Sequence, residues 1–431
     1  MKILITTFGT RGDIQPFVAL AKGLRTAGHD AAICTSTGYQ SFVEEHNATY
    51  LFMDNELLRL SEAALGESGG LGDSLSIIRQ MVPAIRRSMD DEWQAALAFQ
   101  PDLIIYHPKC LGSYHIAEKL QIPAILSLPL PFYTPTREFP IPFFANIQLG
   151  GWFNHFTYRF ISLSSGMYTG TINDFRQKTL ELPPLGRFPD LLTRSDGRPV
   201  PILYPYSPHV LPVPPDFPPH VHVTGYWFLD HTPDWQPEPD LLRFLEAGTA
   251  PVYVGFGSVG GRKGEKRTRI ILEALKKSGQ RGLLASGWGG LKAADLPENV
   301  FMVTAVPHDW LFPRVAAVVH HGGAGTTAAG LRAGKPTIIC PFMADQPFWG
   351  RLVYESGVGP KPIPQRQLTA GKLAAAITTA VQDQTIKRRA AQLGRQISQE
   401  DSIPRAVEVI EAAVGESEGN HRAPACSVPT H

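Results

Sequence analysis

The chain has 431 residues, 43% of them hydrophobic, and a formal net charge of +1, and this length predicts two domains of roughly 200 residues each. The near-zero charge gives no support to a nucleic-acid partner, and the four widely spaced cysteines indicate neither a zinc site nor a disulfide scaffold. No apolar run reaches the roughly 20 residues that span a bilayer, and the apolar start meets Gly9 and Arg11 too early for a signal sequence, so we expect a cytoplasmic protein.

The first half of the chain alternates between predicted strands and predicted helices. Apolar runs predict strands over residues 2–7, 31–35, 103–106 and 124–128, and helices over residues 16–27 and 113–120. In the first helix Phe17, Leu20 and Leu24 share one face. Pro16 suits the first helical position, and Gly28 ends the helix. Strands that alternate with helices predict a parallel sheet.

A proline-rich segment follows, with 15 prolines among the 57 residues from Pro183 to Pro239. Proline removes a backbone donor, so this density predicts an ordered connector rather than part of a sheet core. We therefore predict an amino-terminal domain over residues 1–205, a connector over 206–240 and a carboxyl-terminal domain over 241–395. A closing helix is predicted over 396–415. Residues 416–431 are predicted to be disordered because they are polar and bear glycine, serine and proline.

The second half of the chain repeats the alternation of the first. Strands are predicted over residues 252–256, 282–285, 301–304, 316–319 and 337–340. Helices are predicted over residues 267–278, 326–334, 372–381 and 404–414. Each half therefore predicts an α/β domain built on a parallel sheet.

The most informative stretch runs from Val318 to Gln346. Glycines at 322, 323 and 325 let the backbone approach a ligand closely. The N–H groups at the start of the next helix carry partial positive charge, so they suit a diphosphate. Asp345 and Gln346 follow the next strand at its carboxyl end, where open α/β sheets place ligands, and their side chains suit the hydroxyls of a sugar. For the glycine turn alone, close packing without a ligand is the alternative.

The turn after the first strand, from Gly9 to Pro16, carries Asp13 two residues before Gln15, the predicted N-cap. One interpretation is an acid that complements the helix dipole. The other is a general base at the mouth of a cleft between the domains. Helix and turn N–H groups would keep such a carboxylate ionised.

Four segments of the second half carry a family resemblance. Pro307 to Phe312, His320 to Thr327, Gly330 to Thr337 and Pro341 to Trp349 read PHDWLF, HHGGAGTT, GLRAGKPT and PFMADQPFW. This block resembles the donor-binding signature of the UDP-sugar-dependent glycosyltransferases of family one, most closely the sterol glucosyltransferase branch. The turn GTRGDIQP resembles the GSRGDxxP turn of the same enzymes. The resemblance implies a GT-B fold, in which two Rossmann-like domains with parallel sheets face a central cleft.

The resemblance also implies which residues hold the donor. His321 and residues 323–326 would contact the diphosphate, residues 345–346 the sugar, and the segment from Val306 the uracil. Plant relatives stack the uracil on a tryptophan where this chain has Ala305, so the stacking partner stays open. For Gly257 and Ser258 an ordinary strand-to-helix turn is the alternative. The implied donor-binding residues are Gly12, Gly257, Ser258, Val306, His308, His321, Gly323, Ala324, Gly325, Thr326, Asp345 and Gln346.

The catalytic base implied by the resemblance is Asp13, which would take the proton of the acceptor hydroxyl. Plant relatives place a histidine there and pair it with an aspartate after a strand led by Pro-Asp. In this chain Pro101 and Asp102 lead instead to His107. His107 could assist Asp13, line the acceptor site, or be a polar residue at a strand end.

The acceptor side is predicted from ten aromatic residues between Phe132 and Phe160, which follow neither a helical nor a strand period. One interpretation is an irregular piece of core. The other is the wall or lid of a pocket for a flat apolar acceptor, on a surface that could also touch a membrane. Fungal relatives add membrane-targeting domains before this core. The candidate acceptor-binding residues are Phe132, Tyr133, Phe143, Phe144 and Trp152.

Together these features and the resemblance predict an inverting enzyme that moves glucose from UDP-glucose to a lipophilic alcohol. The resemblance to the sterol glucosyltransferase branch favours a sterol or steroid as that alcohol. No cofactor is expected, and because no Asp-x-Asp motif occurs in the chain, the scheme requires no metal. One alternative is transfer of a UDP- or dTDP-linked sugar to a macrolide, polyketide or flavonoid. Alternatives of another class are a UDP-sugar epimerase and a non-catalytic protein that binds a sugar nucleotide.

Overall fold

Two parallel sheets form the framework of the structure, a computed structural model that describes residues 1–60, 71–145, 147, 149–187, 189–194, 196–256, 262–285 and 296–421. The strands of the first sheet are β1 (Lys2–Thr6), β2 (Asp30–Ser36), β3 (Thr49–Met53), β4 (Leu103–Tyr106), β5 (Ala124–Ser127), β6 (Ile202–Tyr204) and β7 (Val221–Val223). Those of the second are β8 (Val252–Gly255), β9 (Gly282–Ala285), β10 (Val300–Val303), β11 (Ala317–His320) and β12 (Thr337–Ile339). All neighbouring strands run parallel.

The strand order contains one reversal in each sheet. The first sheet runs β3-β2-β1-β4-β5-β6-β7 and therefore reverses between β1 and β4. The second runs β10-β9-β8-β11-β12 and reverses between β8 and β11. Open α/β sheets bind ligands at such reversals, outside the carboxyl ends of the strands. The fold thus marks the loops after these four strands as the places for a site.

Helices cover the faces of both sheets. In chain order they are α1 (Arg11–Thr26), α2 (Gln40–Glu45), α3 (Leu71–Phe99), α4 (Ser113–Leu120), α5 (Gly151–Thr157), α6 (Arg159–Ser165), α7 (Thr169–Lys178), α8 (Pro239–Glu246), α9 (Arg262–Ser278), α10 (His308–Leu311), α11 (Ala324–Arg332), α12 (Gln346–Glu355), α13 (Ala370–Gln382), α14 (Gln384–Ser398) and α15 (Ser402–His421). Short 3₁₀ helices lie at Thr37–Tyr39, Pro142–Phe144, Gly166–Tyr168, Phe312–Arg314 and Gln365–Gln367. Within the described ranges no helix has both the length and the apolar character to cross a bilayer.

The central strands are buried along their whole length. Each residue of β4, β5, β8 and β11 is buried, because helices cover both faces of each sheet. Continuous apolar runs of this kind led to the strand predictions. The predicted α/β class with two parallel sheets is confirmed.

The expectation that the proline-rich segment contributes nothing to a sheet core is wrong. Strand β6 pairs with β5, and β7 pairs with β6 inside the segment predicted as a connector. Both strands have only three residues and contain no proline, so each fits between the prolines of the segment with its ladder donors intact. The domain boundaries at 205 and 240 stay a prediction.

The closing helix differs from its prediction at both ends. Helix α15 begins at Ser402 rather than Pro404 and continues past Gly415 to His421, so disorder is wrong for residues 416–421. Residues 422–431 lie outside the described part of the chain. The helix returns to the first half and packs on α1, where a Cβ at Gly23 would lie 2.1 Å from Ile403. The last helix of the described residues thus connects the two halves.

Candidate active site between the two sheets

A cleft of about 860 Å³ separates the two halves. The start of α1 lines one side, and the start of α11 and the segment after β10 line the other. The two reversal points of the strand order therefore open on a shared space. The predicted donor-binding residues that line it are Gly12, Val306, His308, Ala324, Gly325 and Thr326.

Asp13 lies in the first turn of α1. Its Oδ2 accepts hydrogen bonds from the backbone N (2.8 Å) and Oγ1 (3.1 Å) of Thr10, the N-cap residue. The predicted N-cap, Gln15, and the predicted helix start at Pro16 are therefore wrong. The helix begins five residues earlier because the contacts between Thr10 and Asp13 satisfy its first turn.

Two residues from the loop after β4 face the other carboxylate oxygen of Asp13. Lys109 Nζ donates to Oδ1 at 2.8 Å, and His107 Nε2 lies 3.6 Å from the same atom. The backbone N of Lys109 donates to His107 Nδ1 at 3.2 Å, so the ring proton resides on Nε2 and faces the carboxylate. Burial lowers the pKa of His107 to about 3, so the ring is neutral at physiological pH. This arrangement favours His107 as a neutral neighbour that orients Asp13.

The electrostatics of Asp13 keep it ionised. Burial disfavours the charged form, but the charge of Lys109, the neighbouring His107 and the Thr10 hydrogen bond outweigh it and lower the pKa of the carboxyl group. Glycine at position 9 leaves room for these two side chains, because a Cβ there would lie 2.2 Å from Asp13 Oδ2 and 2.8 Å from Lys109 Nζ. Sequence reasoning missed Lys109. Its position two residues after His107, in the loop after β4, was the available signal.

The turn between β11 and α11 forms the donor side of the cleft. Helix α11 begins at Ala324, two residues before the predicted start, and its first N–H groups have no helical acceptor. Gly322 adopts φ +96°, and a Cβ at this position would lie 2.7 Å from Ile339. A Cβ at Gly323 would lie 2.7 Å from His321 Nε2. Gly322 is thus required by the turn, whereas a side chain at position 323 would displace the ring of His321.

The two histidines of this turn have different environments. His320 is fully buried at the end of β11, and its Nδ1 accepts a hydrogen bond from Gly322 N at 3.0 Å, so it is a packed residue. His321 is only partly buried, and burial lowers its pKa although a hydrogen bond with the backbone of Gly255 opposes this shift, so the ring is neutral. Gly257 and Ser258, the other predicted phosphate contacts, lie outside the described residues.

Asp345 and Gln346 begin α12 after the carboxyl end of β12. Trp349 Nε1 donates to Asp345 Oδ2 at 2.9 Å, and Gln346 Oε1 accepts from Phe342 N at 2.7 Å, so both side chains are held in place. Burial raises the pKa of Asp345 to about 6. Ala344, just before this pair, adopts the left-handed φ of +56°, a strained conformation that clusters at functional sites.

The segment that the resemblance assigns to the uracil has a second strained residue, Ala305, with φ +52°. Trp235, which follows β7, lines the same cleft and packs on Trp310 with ring centroids 5.2 Å apart. His231 is tied to Asp309 of α10 through its backbone N at 3.0 Å and Nδ1 at 2.5 Å, and the segment therefore stays over the cleft. Sequence reasoning missed Trp235, because 70 residues separate it from Ala305 along the chain.

The structure does not gather the five candidate acceptor residues into one pocket. Phe132 is buried at the junction of the two halves, with its ring centroid 5.1 Å from that of Phe348, and Tyr133 and Phe144 are half-buried. Phe143 and Trp152 are instead 75% and 76% exposed. An acceptor role for these residues stays a prediction.

Comparisons with known proteins agree with this geometry. The model of the glycosyltransferase family 28 N-terminal domain matches residues 3–139, and that of the erythromycin biosynthesis protein CIII-like C-terminal domain matches residues 289–414. The solved structure of the glycotransferase of kitacinnamycin superposes with a TM-score of 0.69 at 18% identity, covering 96% of this chain and 98% of that one. The calicheamicin glycosyltransferase CalG4 gives 0.67 at 18% identity over 96% and 98%. The fold is therefore the GT-B fold of glycosyltransferases with two Rossmann-like domains.

Curated relatives narrow the family. The sterol 3-beta-glucosyltransferase UGT80B1 of Arabidopsis thaliana is 39% identical over 420 residues, which cover 95% of this chain and 67% of that protein. UGT80A2 of the same plant is 38% identical, with 94% and 64% covered. The enzyme of Emericella nidulans is 35% identical, and the chain spans only 30% of its length. The chain belongs to the glycosyltransferase family of these sterol 3-beta-glucosyltransferases.

Proposed function

We propose that the chain transfers glucose from UDP-glucose to the hydroxyl of a sterol, with inversion at the anomeric carbon. The observation that carries the proposal is that the start of α1, the helix that holds Asp13, and the start of α11 line one cleft. Asp13 does not itself line the cleft, but it lies close enough to Asp345 of the second half for its charge to raise the pKa of that carboxyl group. Asp13 follows β1, at the reversal point of the first sheet, and the glycine turn follows β11, at that of the second. The two relatives from Arabidopsis thaliana, which are named sterol 3-beta-glucosyltransferases, support a sterol as the acceptor.

The donor would bind against the second sheet. The first N–H groups of α11 and His321 would meet the diphosphate, whose negative charge suits a helix N-terminus. Asp345 and Gln346 would receive the sugar hydroxyls, since their positions are fixed by Trp349 and Phe342. We propose that the uracil stacks on the indole of Trp235, which lines the cleft, because Ala305 stands where plant relatives have the stacking tryptophan and has no ring.

The chemical step would begin at Asp13. The acceptor hydroxyl gives its proton to Asp13 while its oxygen forms a bond to the anomeric carbon. The bond from that carbon to the phosphate oxygen breaks, and UDP leaves with the electron pair. Helix α11 and His321 would stabilise the charge that develops on the diphosphate.

A specific observation favours a second candidate, transfer of a dTDP-sugar to a natural product. The carboxyl-terminal half matches the erythromycin CIII-like model. A structural neighbour complexed with thymidine diphosphate superposes with a TM-score of 0.61. Because the two chains are only 19% identical, this similarity shows a shared fold and does not indicate which sugar nucleotide this chain binds.

The test is a matrix of donors and acceptors with mass spectrometry of the products. UDP-glucose and dTDP-glucose are each combined with 3β-hydroxysterols, a macrolide and a flavonoid, in buffer with EDTA. The proposal expects a hexosylated sterol from UDP-glucose, with a β-linkage by proton NMR. Products only from dTDP-glucose and the macrolide would favour the second candidate. Conversion of the UDP-sugar without any acceptor would indicate an epimerase instead.

A further inference from the structure

One segment of the first half exposes an unusual concentration of apolar side chains. Of the fifteen large hydrophobic residues exposed in the described part of the chain, eight lie between residues 143 and 167. Monomeric surfaces rarely expose apolar residues in one contiguous group, so this concentration calls for an occupant. The group, called the apolar patch below, comprises Phe143, Ile147, Leu149, Trp152, Phe156, Phe160, Leu163 and Met167.

Four residues of the patch, Trp152, Phe156, Phe160 and Leu163, lie on the anchored helices α5 and α6, and the other four lie in the segments that flank these helices. On the inner face, Thr157 Oγ1 accepts a hydrogen bond from Ile141 N at 3.1 Å, and Tyr158 Oη donates to Phe139 O at 3.2 Å. On the outer face the rings of Trp152 and Phe156 stack with centroids 5.6 Å apart. The exposed rings are therefore held by a fixed scaffold, which lowers the entropy cost of binding through them.

The charges around the patch select a lipid surface over a protein. Between residues 139 and 173 the sequence has no aspartate or glutamate, and Arg159 is its one arginine or lysine. The guanidinium of Arg159 lies 5.7 Å from the Phe156 ring, and exposed Arg137 and Lys178 flank the segment. The nearest acids along the sequence are Glu138, beside Arg137, and Asp174, which pairs with Lys178 and Arg86. In space Asp216 also lies near the segment, where its carboxylate accepts from Thr136 Oγ1 and from Arg137 N on the inner side. A second copy seated on this patch would bring two Arg159 side chains into one apolar interface, with no acid in the patch to pair them.

We propose that the apolar patch inserts into the interface of a lipid bilayer and holds the acceptor side of the enzyme against the membrane. Tryptophan, phenylalanine and leucine beside a few basic residues are typical of segments that lie in this interface. The patch is continuous with the junction of the two halves through Tyr158 and Phe139, whose ring lies 5.5 Å from that of Phe348. The link to a lipophilic acceptor rests on the proposed function, but bilayer binding itself does not.

The experiment is flotation of the full chain with phosphatidylcholine vesicles, with and without phosphatidylserine. The patch variant is L149S/L163S/M167S, which avoids the candidate acceptor residues. The control is F52S/V213S/L242S, which removes three exposed hydrophobic residues elsewhere. We expect the wild type and the control to float with both vesicle types and the patch variant to bind at least tenfold more weakly. If the triple variant does not fold, M167S alone should weaken binding several-fold.

Two results would overturn the proposal. One is that the patch variant binds vesicles as well as the wild type does. This includes the case in which both proteins bind only to vesicles that contain phosphatidylserine. The other is that the wild-type chain does not bind vesicles, while sedimentation shows that it forms dimers and that the patch variant does not. Turnover separates this proposal from the proposed function. The patch variant should lose turnover of sterol in vesicles and keep turnover of sterol delivered in cyclodextrin. If the wild type binds vesicles but glucosylates no sterol in either form, the proposed function fails and the patch proposal stands.

Discussion

The ammonium group of Lys109 lies 2.8 Å from Oδ1 of Asp13, although 96 positions separate the two residues in the chain. Thr10 engages the other oxygen of the carboxylate, and His107 lies beside the first. Lys109 is nearly half exposed, so it is the neighbour best able to move away when a hydroxyl approaches. The pair therefore links the ionisation of the proposed base to a flexible side chain.

Replacing Lys109 should shift the pH dependence of turnover. Asp13 must be ionised to take a proton, so activity is lost as pH falls through its pKa. Lys109 lowers that pKa, and Lys109→Met should therefore move the acid limb of kcat/KM to higher pH. Lys109→Arg keeps the charge and is the matched control. The comparison uses kcat/KM measured from pH 4 to pH 9. If the acid limb does not move in Lys109→Met, Lys109 does not set the pKa of the group that controls turnover.

Asp345 should make donor affinity depend on pH. Its pKa is raised to about 6, so the carboxylate becomes protonated and loses acceptor capacity as pH falls through that value. We expect KM for UDP-glucose to rise between pH 7 and pH 5. The terminal phosphate of UDP itself titrates at about pH 6, so the Kd for UDP, which lacks the glucose, should follow the same course with and without the Asp345 carboxylate. In Asp345→Asn the rise in KM should be absent. Calorimetric titration with UDP supplies the comparison, and equal weakening of both ligands would contradict a sugar contact.

Trp235→Ala should weaken the nucleotide rather than the chemistry. Aromatic stacking contributes about 0.5–1.5 kcal/mol, so UDP affinity should fall by roughly twofold to thirteenfold. Trp235→Phe keeps a ring and should recover most of the loss. Fluorescence titration with UDP and with glucose 1-phosphate tests the assignment. A loss for glucose 1-phosphate equal to that for UDP would argue against base stacking.

Glu92 should make the stability of the protein fall as pH rises. It is fully buried beneath the first sheet, where Ser113 Oγ donates to its Oε2 at 2.5 Å. Burial raises its folded-state pKa from 4.5 to about 7, so the folded state holds the proton more tightly. The stabilisation is complete below pH 4.5 and lost as pH passes 7, a change of about 3 kcal/mol.

The test is Glu92→Gln, whose amide is neutral and can still accept from Ser113. Urea unfolding at pH 5 and pH 8 should show that the variant removes this contribution to the pH dependence and raises the free energy of unfolding at pH 8. A variant with the same pH dependence as the wild type would mean that Glu92 does not titrate between these values.

Much of this architecture could be predicted because the local signals agree with the fold. Strands such as β4 and β11 are continuous apolar runs, and Gly322 before α11 has a positive φ and no room for a Cβ. The start of α1 could not be predicted from proline placement. Pro16 sits in its second turn and leaves the Gly12 carbonyl without a helical donor, while Thr10 and Asp13 stabilise the earlier start.

The remaining differences arise from contacts that no local pattern encodes. Lys109 meets Asp13 only because β1 and β4 are neighbours in the sheet, and Trp235 reaches the cleft only because His231 is anchored to Asp309. Trp152 was predicted as part of a pocket, since sequence shows that a side chain is apolar but not which way its helix faces. Its exposed position follows from the anchoring of Tyr158 on the other face.

The most direct test of the account is the turnover of Asp13→Asn with UDP-glucose and a sterol. The substitution keeps the shape of the side chain and its hydrogen bonds from Thr10 but removes the proton acceptor. Positioned bases contribute about 10²–10⁴-fold, so we expect kcat to fall by that factor while the Kd for UDP stays at the wild-type value. A variant that retains most of its turnover would contradict the base role and leave Asp13 as part of the helix cap.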